Sequence, residues 1–225
     1  MTELEFLMYL IFYFAAGATL KLGDDLLDEL EDSYLAVVPL IIAGGFFGYL
    51  MAFSEWDLVL LSSIIIGVIL SGKVDNISYL GGFITIFFFL ILFGIPSVTD
   101  WYGWSALLIS LLLAAVLDEK GNDWADRNAS PKASKFFEYR LTLKVSVLLL
   151  SIPWPDFLFA AIGLWCFDVG YELAHWLIKK QVVQSSDSQT TTHISEEDIQ
   201  TFMFRIVNSF LTDISDSVNT TSDSN

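Results

Sequence analysis

At 225 residues, 54% of them hydrophobic, and with a mean hydropathy of +0.58, the chain is too apolar for a typical soluble domain and fits an all-α, polytopic membrane protein. A formal net charge of -16 argues against nucleic acid as a partner and against electrostatic attraction to anionic headgroups, because those partners carry the same sign. The single cysteine, Cys166, excludes an internal disulfide and a cysteine-based zinc cluster within one chain.

The opening Met-Thr-Glu-Leu-Glu lacks the basic stretch and cleavage site of a secretory signal, so the first apolar run is expected to persist as a helix. Runs long enough or nearly long enough to cross a bilayer follow at 4–22, 34–53, 57–73, 79–98, 103–118, 141–153 and 155–178, which predicts seven spans. The sixth is short. Ile-Pro-Trp-Pro-Asp at 152–156 breaks it from the seventh, because proline ends a helix and disfavours helix in the residue before it, so these two spans form an antiparallel hairpin.

All eleven Lys and Arg residues fall on one side of this arrangement, from Lys21, Lys73 and Lys120 through Arg127, Lys144, Lys179 and Arg205. The opposite loops, around Glu55, Asp100 and Asp156, contain none. Positive residues gather on the cytoplasmic side of short loops, which predicts a prokaryotic cell-membrane protein with its N-terminus outside and its C-terminus in the cytoplasm. Trp56, Trp101, Trp104 and Trp154 sit at the expected outer ends, where amphipathic rings collect. Gly44 with Gly48, and the pair Gly81-Gly82, offer small surfaces for close helix approach.

The transmembrane domain is expected to occupy 1–180. A polar linker at 181–194 follows, then an amphipathic helix at 195–215 carrying Ile199, Phe202, Ile206 and Phe210 at helical spacing, and a disordered tail at 216–225. The acidic polar face of that helix suits self-association or a protein partner better than a membrane surface.

Four apolar segments carry acidic polar clusters at or near their cytoplasmic ends: Lys21–Asp28, Ser71–Asn76, Leu117–Asp123 and Asp168–Glu172. Ionisable groups at membrane depth face a bundle interior, a partner or water, and so mark a candidate site. Asp24, Asp25, Asp28, Asp118 and Asp123 are candidate ligands for magnesium, a hard cation that prefers carboxylate oxygen, water and phosphate. Lys73, Asn76, Arg127 and His175 are candidate substrate contacts, with the two cations suited to phosphate. Asp168, Glu172, His175 and Lys179 share one helix face, and Asp168 lies about 16 Å inside Lys179 at 1.5 Å per residue, which makes Asp168 and Glu172 the candidate catalytic pair. A structural ion pair with Lys144 or Lys21 is the competing role for Asp168. Exposed acidic helix ends and solvated loops compete for the other clusters.

Two of these stretches resemble the Asp-rich motifs of UbiA-type intramembrane prenyltransferases. Asp24-Asp-Leu-Leu-Asp28-Glu-Leu-Glu-Asp32 resembles Asn-Asp-x-x-Asp-x-x-x-Asp with Asp24 in place of Asn, and Asn122-Asp-Trp-Ala-Asp126 resembles the opening of the same motif. The family is usually longer, with more helices, and carries its first motif after the second helix. The resemblance implies a cytoplasmic site for magnesium and an isoprenoid diphosphate. From residues and resemblance together the leading expectation is a magnesium-dependent enzyme acting on a phosphorylated lipid or prenyl diphosphate. The alternatives are an ion- or proton-coupled transporter and a non-catalytic membrane scaffold.

Overall fold

A computed structural model of the chain describes residues 2–29, 34–72, 74, 76–127, 136 and 141–188, without the side chains of 28, 29, 34, 126 and 180–188. Seven α-helices occur among the described residues: α1 Glu3–Glu29, α2 Tyr34–Phe53, α3 Glu55–Ser71, α4 Tyr79–Phe93, α5 Trp101–Arg127, α6 Leu141–Leu150 and α7 Leu158–Ser188. No strand is present among them. By contacts the chain divides into two units, Met1–Lys179 and Lys180–Asn225. The expected amphipathic helix at 195–215 and the tail lie outside the described residues.

Local chemistry explains most boundaries. At the start of α1, Thr2 and Glu5 form a reciprocal capping box: the Thr2 amide donates to Glu5 Oε2 at 2.8 Å and the Glu5 amide to Thr2 Oγ1 at 3.3 Å. Ser54 separates α2 from α3 and caps α3, accepting from the Asp57 amide at 3.1 Å. Gly72 closes α3 with φ of 78°, a left-handed conformation that glycine adopts without steric penalty. Gly94 at φ 89° ends α4, and Pro96 follows it, so the helix stops at Phe93 rather than near 98. Two other helices run further than expected. α1 continues to Glu29, which keeps the aspartates at 24–28 on helical turns, and α5 continues to Arg127, so the polar run at 118–127 is helical rather than a loop. α7 extends to Ser188, into the segment expected to begin a linker at 181.

Four stretches, Glu3–Leu27, Leu35–Phe53, Trp101–Ala125 and Pro155–Lys179, are long and apolar enough to cross a membrane. α4 and α6 are apolar but shorter, with 15 and 10 residues.

Within the first unit α2 packs against α1, α3 and α4, and α5 packs against α3 and α6. Glycines set the closest approaches. A methyl group at Gly17 would fall on the Phe167 carbonyl, and one at Gly170 on the Phe14 carbonyl, so α1 and α7 cross backbone to backbone. Gly44 meets the Gly82 carbonyl in the same way, which joins α2 to α4 through two of the glycines picked out in the sequence.

Hydrogen bonds sort the helix ends into two groups. At one end Trp104 Nε1 donates to the Glu55 carbonyl at 3.2 Å and the Thr99 amide to Glu55 Oε2 at 2.9 Å. At the other, Lys120 Nζ donates to the Ser71 carbonyl at 2.9 Å.

The first end also holds a sealed polar cluster that the sequence reading did not single out. Tyr9 and Tyr13 of α1 each donate a phenol proton to Asp57 Oδ1 at 2.6 Å, and Ser54 Oγ donates to Oδ2 at 2.5 Å. Asp57 is 1% exposed and Tyr13 fully buried. Because a buried carboxylate without donors is costly, three hydroxyls on this one group tie α1 to the start of α3. Tyr13→Phe is expected to lower stability by about 1.5–3 kcal/mol, the range for a hydrogen bond to a charged group. Asp57→Ala, which leaves three hydroxyls without their acceptor, is expected to cost more. Thermal unfolding of the purified protein in detergent measures both, and unchanged midpoints would show that the cluster adds nothing.

Candidate functional site

At the opposite end of the first unit, α1, α2, α3, α4, α5 and α7 surround a cavity of about 520 Å³. Its walls are apolar, with Leu40, Phe47, Ile64, Val68, Phe83 and Ile86 among them. Its polar lining is Lys21 and Asp24 from α1, Tyr79 from α4, Glu119 and Asn122 from α5, and Tyr171 from α7. Val74 adds a residue from the connection after α3, so each of the four polar segments contributes to one cavity.

Helical geometry decides which carboxylate faces it. Asp24 lines the cavity and accepts from the Tyr79 hydroxyl at 2.9 Å and, in a longer contact, from the Tyr171 hydroxyl at 3.4 Å. Asp25, rotated by about 100° along the helix, is buried against other partners. Lys21 Nζ lies 2.8 Å from its Oδ1 and His175 Nδ1 3.3 Å from its Oδ2. The same ammonium sits 5.1 Å from the centre of the Tyr171 ring, a cation–π contact. Glu119 and Asn122, three residues apart on α5, share its cavity-facing side.

The other candidate residues have different neighbours. Asp118, only 2% exposed, accepts from the Thr142 amide at 3.1 Å and the Leu143 amide at 2.7 Å, so it satisfies the open amides at the start of α6. Asn76 accepts from the Ser78 amide at 2.9 Å just before α4. Asp168 pairs with Lys144 of α6 at 3.1 Å, with side chains 17% and 14% exposed. Glu172 and Arg127 are exposed, and Asp123 is half-buried outside the cavity lining. Lys73 and the side chain of Asp28 lie outside the described residues.

Among the described residues no three His, Cys, Asp or Glu side chains come together to hold a metal ion. A cation at the rim would take its remaining ligands from water and from a bound phosphate, an arrangement magnesium accepts. Sequence reasoning missed the two tyrosines, although Tyr171 lies inside one acidic cluster and Tyr79 just beyond another. Asp57 was also legible in part: Ser54-Glu-Trp-Asp57 has the spacing of a capping box, and Tyr9 and Tyr13 lie one helical turn apart.

If the Lys144–Asp168 pair is a structural tie between α6 and α7, Asp168→Ala will lower stability by about 3–5 kcal/mol, because Lys144 is left buried without its counter-charge. The double variant Lys144→Met with Asp168→Leu will recover most of that loss. Denaturant unfolding reads both, and a double variant as unstable as the single one would contradict the pairing. No family model, no curated protein and no solved structure matches this chain, so the site is assigned from its own residues and geometry.

Proposed function

We propose that the chain is a multi-pass membrane protein, N-terminus outside and C-terminus in the cytoplasm, whose cytoplasm-facing cavity receives an amphiphile. The division of the cavity carries this reading. Apolar walls suit a hydrocarbon or prenyl chain, and the charged and hydroxyl-bearing groups at Lys21, Asp24, Tyr79, Glu119, Asn122 and Tyr171 suit a headgroup. The volume lies within the roughly 300–1,000 Å³ typical of small-molecule sites, which favours a single chain over a two-chain phospholipid.

Four helical stretches of spanning length support residence in a bilayer. The shorter α4 and α6 complete seven crossings if the bilayer thins beside them, at a cost of fractions of a kcal/mol per Å. Orientation is supported by the gathering of positive residues at one set of helix ends, the set that includes Lys21 and Lys120 beside the cavity.

Chemistry on the bound molecule is the stronger form of this proposal. With magnesium, Asp24, Glu119 and Asn122 would supply oxygen ligands, and the ion would neutralise phosphate charge, the requirement for prenyl or phospholipid transfer or hydrolysis. A proton relay through Asp168 and Glu172 finds less support, since Asp168 is held by Lys144.

Two measurements test this. In a Cys166→Ala background, a cysteine at Ser97 is expected to react with a membrane-impermeant maleimide added outside, whereas one at Ser224 reacts only after permeabilisation; the reverse pattern would invert the topology. In nanodiscs, a photoactivatable single-chain alkyl alcohol is expected to label peptides from α2 and α4, and Val68→Trp, which fills the cavity, is expected to cut that labelling several-fold. Labelling that ignores Val68→Trp would place the probe in the surrounding lipid and remove the proposal.

A further inference from the structure

The cavity ends at a definite depth, and that depth limits the chain it can hold. α2 and α4 lie side by side and run in the same direction, since Ile41 meets Gly81, Gly44 meets Gly82 and Gly48 meets Ile86 in turn. On α2 the lining runs from Leu40 to Phe47 and on α4 from Tyr79 to Ile86, in both cases a depth of about 10.5 Å at 1.5 Å per residue. α3 returns from the break at Ser54, and its deepest lining residue is Ile64. One turn further in, Leu50, Met51, Leu60 and Leu61 are at most 5% exposed and take no part in the lining. Phe47 is itself braced edge-on against Phe167 of α7, with ring centres 5.7 Å apart. The α2–α4 seam is shut at the same level, where a methyl group on Gly48 would lie 2.6 Å from Phe89 Cβ and 2.9 Å from the Ile86 carbonyl.

Resting on the reading of the cavity as an amphiphile site, we infer that Phe47, Ile64 and Ile86 form a floor that sets chain length, so that the cavity takes a short chain in preference to the long chains of membrane lipids. A zigzag of carbon–carbon bonds advances about 1.25 Å per atom, so the depth from rim to floor accommodates about eight carbons in line, the length of an octyl chain or of two isoprene units. A longer chain must force its end into side chains packed at interior density. It gains nothing in exchange, because the bilayer it leaves is as apolar as the cavity. A much shorter chain leaves a void above the floor and loses its dispersion contacts. The limit acts on the chain alone and applies to any headgroup the rim accepts.

The test uses the full chain in phosphatidylcholine nanodiscs and displacement of the photoactivatable alkyl alcohol, in its decyl form, by a series of straight-chain alcohols from octanol to hexadecanol. Amounts are compared at equal mole fraction in the bilayer, which removes differences in partitioning, and the headgroup is the same throughout. Octanol and decanol are expected to displace the probe at a mole fraction about tenfold lower than hexadecanol, the penalty of overfilling a packed floor. Phe47→Ala, which removes a ring from the floor, is expected to move the optimum to longer chains, and Ile86→Phe, which raises the floor, to weaken decanol several-fold more than octanol. Thermal unfolding in the same nanodiscs checks that each variant is folded, and the wild-type series decides alone if neither is. Equal displacement by every length in wild type, or an optimum that moves in neither folded variant, would overturn the floor and leave the cavity reading standing. Failure of every alcohol to displace a probe that labels α2 and α4 would overturn both.

Discussion

A carboxylate buried among apolar helices must find its donors within the chain, and this bundle is organised around where that happens. Asp57 takes three hydroxyls at one end of α1, and Asp24 takes two at the other. Both are carboxylates held by a pair of tyrosines, yet their surroundings differ. Asp57 is sealed, so its hydrogen bonds join α1 to α3. Asp24 and its two tyrosines open onto a cavity, so the same chemistry there is available to a ligand. Access, rather than residue type, separates the structural cluster from the candidate site.

The cavity exists because neighbouring helices are held close at some levels and apart at others. Backbone contacts at Gly17 and Gly170 clamp α1 to α7, and those at Gly44 and Gly82 clamp α2 to α4. Gly44 and Gly82 themselves line the cavity, so the α2–α4 seam forms part of its wall. The remaining walls come from α1, α3, α5 and α7, with Ile64 and Val68 presented by α3 and Glu119 and Asn122 by α5. Polar ties then fix the surrounding helices: Asp118 to the start of α6, Lys144 to Asp168, and Lys120 to the end of α3. Several acidic residues thus serve to hold helices while a smaller set faces the open space.

This division explains what was legible in the sequence. Apolar run length and the break at Pro153 and Pro155 marked seven helices, because those signals are local. The end set by polar residues in good helical register at Asp118–Arg127 was placed too early, since charge alone does not stop a helix. The four polar segments were visible as clusters, but which member turned toward the cavity depended on rotation about each helix and on partners distant in sequence. Asp24 and Asp25 are adjacent and face different neighbours. Tyr79 and Tyr171 carry no charge and drew no notice, although they complete the rim. The rest of the Asp57 cluster was hidden for a related reason: its two phenol donors lie 44 and 48 residues away, beyond the reach of any local pattern.

The account stands or falls on whether the cavity at the Asp24 end holds a single-chain amphiphile. Native mass spectrometry of the protein released from mild detergent or nanodiscs measures this most directly. The account predicts one tightly retained molecule of single-chain mass per protein, surviving activation that strips loosely attached lipid and lost when Val68→Trp fills the space. Bare protein under the same activation, or retained lipid in equal amount in wild type and Val68→Trp, would contradict it.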